Sequence, residues 1–211
     1  GPGRLGPVVD AVLARAQSLG PTELQWQVKM ADPDGLAAEL TARGAKVNVT
    51  LDVLARDLSG GAPALPPPSA DVSVRWATDL ATARDGAAVQ VAGFGGAVPP
   101  DERLEQSAAK DADAVPAGGG GLMVAYAGGA AVGSGGIARV DGVARLWGGV
   151  VVPAARGTGI YRAVLSARMA YAVGHGATMA LVKGKVDTSG PILRRAGFES
   201  FGQETVFRVS L

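Results

Sequence analysis

Apolar spacing along the chain alternates between the period of a helix and the period of a strand. Early on, "VVDAVLARAQSLG" places Val8, Val12 and Leu13 near one face of a helix that Gly20 stops. "ELQWQVKM" alternates as a strand does, "DPDGLAAELTARGA" opens on Asp/Pro capping chemistry and closes on Gly44 as a second helix, and "VNVTLDVLARDL" is strand-like again. Further on, "DVSVRWATD" predicts a strand, and residues 80–96 and 99–113 predict two helices, the second with proline in its first turn. "GLMVAYAGG", "AAVGSGGIARVDG" and "VARLWGGVVVP" predict a three-stranded meander with tight turns at Gly128-Gly129 and Asp141-Gly142. A helix to about Val173, the strand "ATMALVKGKV", the helix "SGPILRRAGF" and the strand "ETVFRVSL" complete an α/β (α+β) chain.

The segment "SGGAPALPPPSAD" interrupts this pattern. Its consecutive prolines between Gly/Ala/Ser flanks predict a stiff, extended connector. The expected organisation is a small αβαβ half-domain over 1–58, a Pro-rich linker over 59–70 and a larger domain over 71–211. The order helix, strand, helix, strand occurs at both ends of the chain, and some residues agree. Without gaps Arg4 falls on Arg156, Ala11 on Ala163, Val12 on Val164 and Leu13 on Leu165; with small gaps Gly44 falls on Gly197. Two Ala-rich amphipathic helices also match by chance. The repeated element order tilts the balance toward a duplicated half-domain.

Composition narrows the function. At 211 residues and 47% hydrophobic, the chain can bury a sizeable core. Lys and Arg (20) nearly balance Asp and Glu (19), so the basic surface that grips a phosphate backbone is lacking and nucleic acid is not an expected partner. The absence of cysteine removes disulfides and thiolate metal sites and fits a reducing, cytoplasmic setting. His175 is the lone histidine, so no metal site is expected. Residues 114–138 carry no charge over the length of a membrane span, but paired glycines break the run into two short strands, and no membrane partner is expected. No secretory signal pattern opens the chain. It starts on Gly1-Pro2 without Met, and residues are expected upstream.

The most informative stretch is "VVVPAARGTGIYRAVL". A β-branched strand runs through Pro153 into Gly157 and Gly159, just ahead of the apolar stripe Val164, Leu165 and Met169. A helix start leaves its first N–H groups unsatisfied and carries about half a positive charge. Glycines there let a phosphate approach those amides, and Arg156 and Arg162 flank them. Charge-assisted hydrogen bonds of roughly 1.5–3 kcal/mol each outweigh a dipole term of about 0.3–1 kcal/mol. A pyrophosphate is the expected ligand. No Gly-Lys-Ser/Thr follows, which argues against a P-loop, and Arg162 stands where a dinucleotide fingerprint needs its third small residue.

Residues 71–211 resemble the GNAT superfamily, the acetyl-CoA-dependent N-acetyltransferases. The likeness rests on Val151-Val152-Pro153 followed by Arg156-Gly157-Thr158-Gly159-Ile160-Tyr161, on the preceding meander, and on "TSGPILRRAGF" before the last strand. Tyr161 stands where the family pattern has Gly or Ala. The resemblance implies a mixed, mostly antiparallel sheet flanked by helices, with acetyl-CoA as co-substrate. It further implies that Val150, Val151 and Val152 bind the pantetheine arm through their backbone, where the strand splays from its neighbour. Arg156, Gly157, Thr158, Gly159, Ile160, Tyr161 and Arg162 would hold the pyrophosphate. An amide near Gly149 or Val150 would polarise the thioester carbonyl, with Gly148 and Gly149 suited to a bulge. On the same resemblance the first 58 residues are a degenerate half-repeat, in which Leu5 and Pro7 replace the glycines.

The implied reaction is attack of an amine on the thioester, which requires loss of a proton. The family's frequent acid, a tyrosine, is replaced by Leu193, and "VARLWGGV" offers no carboxylate, so the catalytic residues are unknown. Tyr126, Tyr171 and Glu102 are substitutes, while His175 reads as a helix cap. A small-molecule amine is the first expectation for the acceptor, with residues 80–96 and 99–113 walling its site. The alternatives are a protein Lys or N-terminal acetyltransferase and a non-catalytic acyl-CoA-binding module. The resemblance leaves a homodimer open.

Overall fold

The computed structural model describes residues 5–68 and 71–211. Arg4, expected to align with Arg156, and Ser69 and Ala70 of the expected linker lie outside the described residues. The described elements follow the expected order: α1 (Leu5–Ser18), β1 (Glu23–Val28), α2 (Leu36–Ala42), β2 (Lys46–Asp57), β3 (Val72–Trp76), α3 (Leu80–Phe94), α4 (Asp101–Ala114), β4 (Gly120–Ala127), β5 (Ala130–Val140), β6 (Val143–Val151), α5 (Ile160–Gly174), β7 (Met179–Lys185), α6 (Ser189–Arg195) and β8 (Glu199–Ser210). The fold is mixed α/β with mostly antiparallel strands flanked by helices.

The chain divides into two compact units, one of Ala55–Val182 and one that joins Gly1–Leu54 to Lys183–Leu211. This division differs from the expected boundary at the linker. The cause is a strand pairing that local sequence does not encode: β8 runs antiparallel to β1, from Glu23 opposite Ser210 to Val28 opposite Thr205. The last helix and strand therefore group with the first ones.

In the Ala55–Val182 unit the strands run β7-β6-β5-β4-β3. The uncharged run expected to be two short strands is the β4–β5 hairpin, with Gly128 (φ 56°) and Gly129 (φ 81°) forming its turn. β6 pairs antiparallel to β5 and parallel to β7, from Val143 opposite Met179 to Leu146 opposite Val182. Ala77, Ala83, Ala87, Leu104, Ala108 and Val124 form a core under α3 and α4. A second cluster joins Ala125 of β4 to Ile160 and Val164 of α5. The Asp79 side chain caps α3 by accepting from the Thr82 amide at 2.8 Å.

In the other unit the strand order is β1-β8-β2, followed by the Lys183–Lys185 end of β7. Val9, Leu36, Leu40, Phe207 and Val209 make its core, and Arg43 ties α2 to α1 through Asp10 (2.5 Å) and the Gly6 carbonyl (3.1 Å). The buried face of α1 is Val9 and Ala16; Val8 and Val12, expected on that face, are 56% and 40% exposed. α2 begins at Gly35 in the left-handed region (φ 90°) without a side-chain cap, because glycine has no side chain to supply one; Asp32 accepts from the Lys29 amide.

Two helices, α2 and α6, close in the same way. Gly44 (φ 81°) donates to the Thr41 carbonyl and Ala45 to that of Leu40; Gly197 (φ 83°) donates to Arg194 and Phe198 to Leu193. The paired distances are 2.9 and 3.1 Å at both ends. This is the Schellman closure that a left-handed glycine permits. Leu40 and Leu193 are both fully buried. At Val12 and Val164 the match fails, since Val164 is buried and Val12 is not.

Candidate active site

The site lies at the carboxyl end of β6, inside the Ala55–Val182 unit. Ser134 pairs with Val150 and Gly136 with Trp147, so Gly148 and Gly149 together face the single residue Gly135. This two-against-one count is a β-bulge in β6, at the glycines the sequence marks for one. Gly148 takes φ 58°, a conformation that favours glycine.

Three side chains hold the bulge from the two helices beside it. From α3, Gln90 Nε2 donates to the Gly148 carbonyl at 2.7 Å and to the Ser134 hydroxyl at 2.8 Å. Ser134 is 1% exposed, so this pair lies in the interior. From α5, Arg168 Nη1 donates to the Gly136 carbonyl at 3.3 Å and to that of Trp147 at 3.4 Å. Tyr161, in the first turn of α5, reaches the same place. A Cβ added to Gly149 would lie 3.3 Å from the Tyr161 hydroxyl and 3.4 Å from Arg168 Nη2. Burial pushes the Tyr161 phenol above its ordinary pKa, and the Arg168 charge opposes that rise.

Beyond Val151 the backbone leaves the sheet. The Val152 amide donates to Val132 at 2.9 Å, Pro153–Ala155 form one 3-10 turn, and the loop reaches α5 through Gly157 (φ 81°) and Gly159 (φ 91°). The first intrahelical bond closes from Ala163 to the Gly159 carbonyl at 3.0 Å, which leaves the earlier amides without an intrahelical partner. A Cβ at Gly157 would meet nothing within 4 Å, so this turn is open on its outer side. Thr158 Oγ1 donates to the Ala155 carbonyl (2.7 Å) and steadies the turn, and the exposed Arg156 bends back to the Val151 carbonyl (3.3 Å). The residues named from sequence thus form one continuous strand end, loop and helix start. Their chemistry fits a diphosphate: successive amides at a helix N-terminus, no Cβ on the glycines, and two arginines alongside.

The Pro-rich connector runs against this loop. Arg162 Nε donates to the Pro66 carbonyl at 3.2 Å, and a Cβ on Gly159 would lie 2.7 Å from the Pro68 Cα. Gly159 is therefore required twice, for its left-handed φ and for the clearance of the connector.

The substitutes considered for proton transfer are engaged elsewhere. Tyr126 donates to Asp85 at 2.7 Å beneath the Arg75 guanidinium, and burial followed by that carboxylate pushes its pKa up to about 12. Tyr171 donates to the Val115 carbonyl (2.7 Å), accepts from the Gly120 amide (3.1 Å) and packs edge-on against Trp76. Glu102 is exposed on α4, where Gln106 approaches it at 3.4 Å. His175 sits at the C-cap of α5 with Nδ1 2.9 Å from the Tyr171 carbonyl oxygen. Leu193 is fully buried in the other unit.

Gln90 and Arg168 were not anticipated from sequence. Arg168 had a legible signal: it occupies the helical stripe of Ile160, Val164 and Ala172, where a charged residue is out of place. Gln90 had none, since its role depends on which strand α3 crosses.

No family model matches this sequence. No curated protein matches it either. Among solved structures, a GCN5-related N-acetyltransferase from Sphaerobacter thermophilus superimposes over 95% of the chain with a TM-score of 0.74 at 19% identity. The chain has the GCN5-related N-acetyltransferase fold. A GCN5-related N-acetyltransferase from Kribbella flavida matches over 99% of the chain and 76% of its own (TM-score 0.70, 19% identity). AAC(6')-Iy, solved with the bisubstrate analogue CoA-S-monomethyl-acetylneamine, matches over 62% of the chain and 92% of its own (TM-score 0.51, 18% identity). The chain spans 65% of the length of the Sphaerobacter protein. Among the described residues no helix is long and apolar enough to cross a membrane.

Proposed function

We propose that this chain is an acetyl-CoA-dependent N-acetyltransferase whose acceptor is a primary amine on a small molecule. The observation that carries the reading is the junction after β6, where a bulged strand, an open glycine turn and a helix N-terminus follow one another. In this reading the amides of residues 157–162, with Arg156 and Arg162, bind the diphosphate of CoA. The backbone of Val150–Val152 binds the pantetheine arm, and the bulge at Gly148–Gly149 receives the thioester.

Acetyl-CoA supplies an activated acyl group. The neutral amine attacks its carbonyl carbon, a C–N bond forms, the C–S bond breaks, CoA leaves as the thiolate, and the proton lost by the nitrogen passes through water to that sulfur to give free CoA thiol. Negative charge collects on the carbonyl oxygen as the amine adds. A backbone amide near Gly149 or Val150 stabilises it there, an effect that in comparable sites is worth on the order of 100-fold in rate per donor. The small-molecule acceptor is supported by the fold likeness to AAC(6')-Iy with its acetylneamine analogue. The first 58 residues belong in this reading to a degenerate half-repeat. Among the described residues α1 is already helical at Leu5 and Pro7, and Pro7 has no N–H to offer a second coenzyme.

The test is calorimetric titration with CoA, followed by thiol release from acetyl-CoA with a panel of small amines and lysine peptides. The reading expects one CoA per chain and turnover on small amines. Two CoA per chain would refute the half-repeat, and preferred turnover on peptides would reassign the acceptor. Binding without turnover on any amine would make the chain an acyl-CoA-binding module, and no binding would refute the reading altogether.

A further inference from the structure

Arg168 lies in the layer between α5 and the sheet, 1% exposed, on a helix face otherwise made of Ile160, Val164, Leu165, Met169 and Ala172. A guanidinium in such a layer is expensive to bury unless a counter-ion and full hydrogen bonding compensate. Among the described residues no carboxylate accepts from it. Its hydrogen bonds go to the backbone carbonyls of Val164, Gly136 and Trp147, and Nη2 is buried with only the neutral Tyr161 phenol beside it. Space has been cleared for it: a Cβ on Gly135 would lie 2.9 Å from the Arg168 Cζ and 3.0 Å from Nη1. Gly135 is the residue that the bulge faces, and Gly149, within the bulge, leaves room for Nη2 and the Tyr161 hydroxyl. An apolar side chain would satisfy this layer at lower cost, so helix packing does not account for the arginine.

We propose that Arg168 is a positioning residue for acyl transfer, clamping the β6 bulge from behind and holding an uncompensated positive charge beneath Gly149. This rests on the acetyltransferase reading above. The two carbonyls it ties, Gly136 and Trp147, belong to the pair that borders the bulge, so the guanidinium replaces the ladder bonds that a regular strand would make there. The remaining N–H groups and the charge face Gly149 and Tyr161. A fixed cation in a water-poor layer, close to where an oxygen gains negative charge, lowers the barrier without reorganising during the reaction. The neighbouring Tyr161 phenol lets the charge stay unpaired by a carboxylate, which would cancel it.

The experiment compares the wild-type chain with Arg168→Met, Arg168→Lys and Gly135→Ala. Arg168→Met is expected to bind CoA within about threefold of wild type while kcat falls about 10- to 100-fold. Arg168→Lys, which keeps the charge, is expected to recover a large part of that loss. Gly135→Ala leaves the arginine in the sequence but displaces it, and is expected to match the Met variant, so the test survives if the Met variant does not fold. With acetyl-CoA carrying a 13C carbonyl, the bound C=O stretch should lie at lower frequency in wild type and the Lys variant than in the Met and Ala variants. A kcat within twofold of wild type in a folded Met or Ala variant overturns the proposal, as does a carbonyl stretch that does not move. Equal losses of CoA affinity and kcat also overturn it, because they describe a merely structural residue. A wild-type chain that binds no CoA overturns the acetyltransferase reading itself, which a normally active Met variant does not.

Discussion

Gln90 Nε2 donates simultaneously to the carbonyl of Gly148 and to the buried hydroxyl of Ser134, and so fastens α3 to the point where β6 leaves its regular register. Substitution by Leu keeps the volume but leaves both oxygens without their donor. Gln90→Leu is expected to cost about 1–3 kcal/mol of stability, the usual penalty for a buried unsatisfied polar group. In acetyl-CoA assays kcat should fall while CoA affinity, which the proposed function assigns to the loop further on, stays within a few-fold. Chemical denaturation and thiol-release kinetics check the two halves of this expectation.

Gly157 and Gly159 make different demands on the loop. Gly157→Val meets no neighbour but forces a β-branched residue to φ 81°, whereas Gly159→Val is strained at φ 91° and also strikes Pro68. Both should weaken CoA binding by at least about tenfold, since one lost charge-assisted hydrogen bond of roughly 1.5–3 kcal/mol already exceeds that factor. Only Gly159→Val should also lower the melting temperature markedly. Unchanged CoA affinity in the folded double variant would remove the basis of the proposed function.

The connector touches Arg162 and lies against Gly159, both next to the same amides. Replacing Pro66, Pro67 and Pro68 with Gly-Ser-Gly should release that contact and raise CoA affinity several-fold, because a bound diphosphate must displace what covers it. Weaker binding in this variant would instead identify the connector as a wall of the coenzyme site.

Asp79 provides a pH-dependent term. Hydrogen bonds from the Thr82 amide and then from its hydroxyl hold the carboxylate pKa below its ordinary 3.8. A depressed folded-state pKa contributes stability that is present above the unfolded value and is lost as pH falls through the folded one. Asp79→Ala should therefore cost about 1 kcal/mol near neutral pH. The gap to wild type should close as pH drops below about 4. Urea denaturation at pH 7 and pH 3 reads the difference directly.

The matched helix ends make a further prediction. Gly44→Ala and Gly197→Ala both place a Cβ in the left-handed region and should each destabilise by about 1 kcal/mol. Similar losses at two positions so far apart in sequence would give the half-repeat an energetic signature; widely different losses would count against it.

Much of this architecture was legible because it is written locally. The turns at Gly128-Gly129 and Asp141-Gly142, the glycine stops after α2 and α6, and the alternation within the meander each depend on a few neighbouring residues. The loop from Arg156 to Arg162 was legible for the same reason. The face of α1 was not, because Val8, Val9, Val12 and Leu13 all lie within one broad apolar arc and only packing selects Val9 and Ala16. The grouping of β8 with β1 was not legible either, since strand partners distant in sequence leave no local trace. The support beneath the bulge is of the same kind: Gln90 and Arg168 act through carbonyls on other elements, and carbonyls carry no sequence signature.

The insertion of β8 between β1 and β2 sets the timetable of synthesis. As the ribosome extends the chain, β1 and β2 emerge well before β8, the strand that must lie between them. Until then they are separate ribbons with unpaired edges, exposed to chaperones and to other nascent chains. Closing the gap requires a contact between strands far apart in the sequence, the slowest type for a folding chain to form. A second molecule's β8 could fill the gap first, so intertwined dimers are the misassembly to expect when the protein is overproduced.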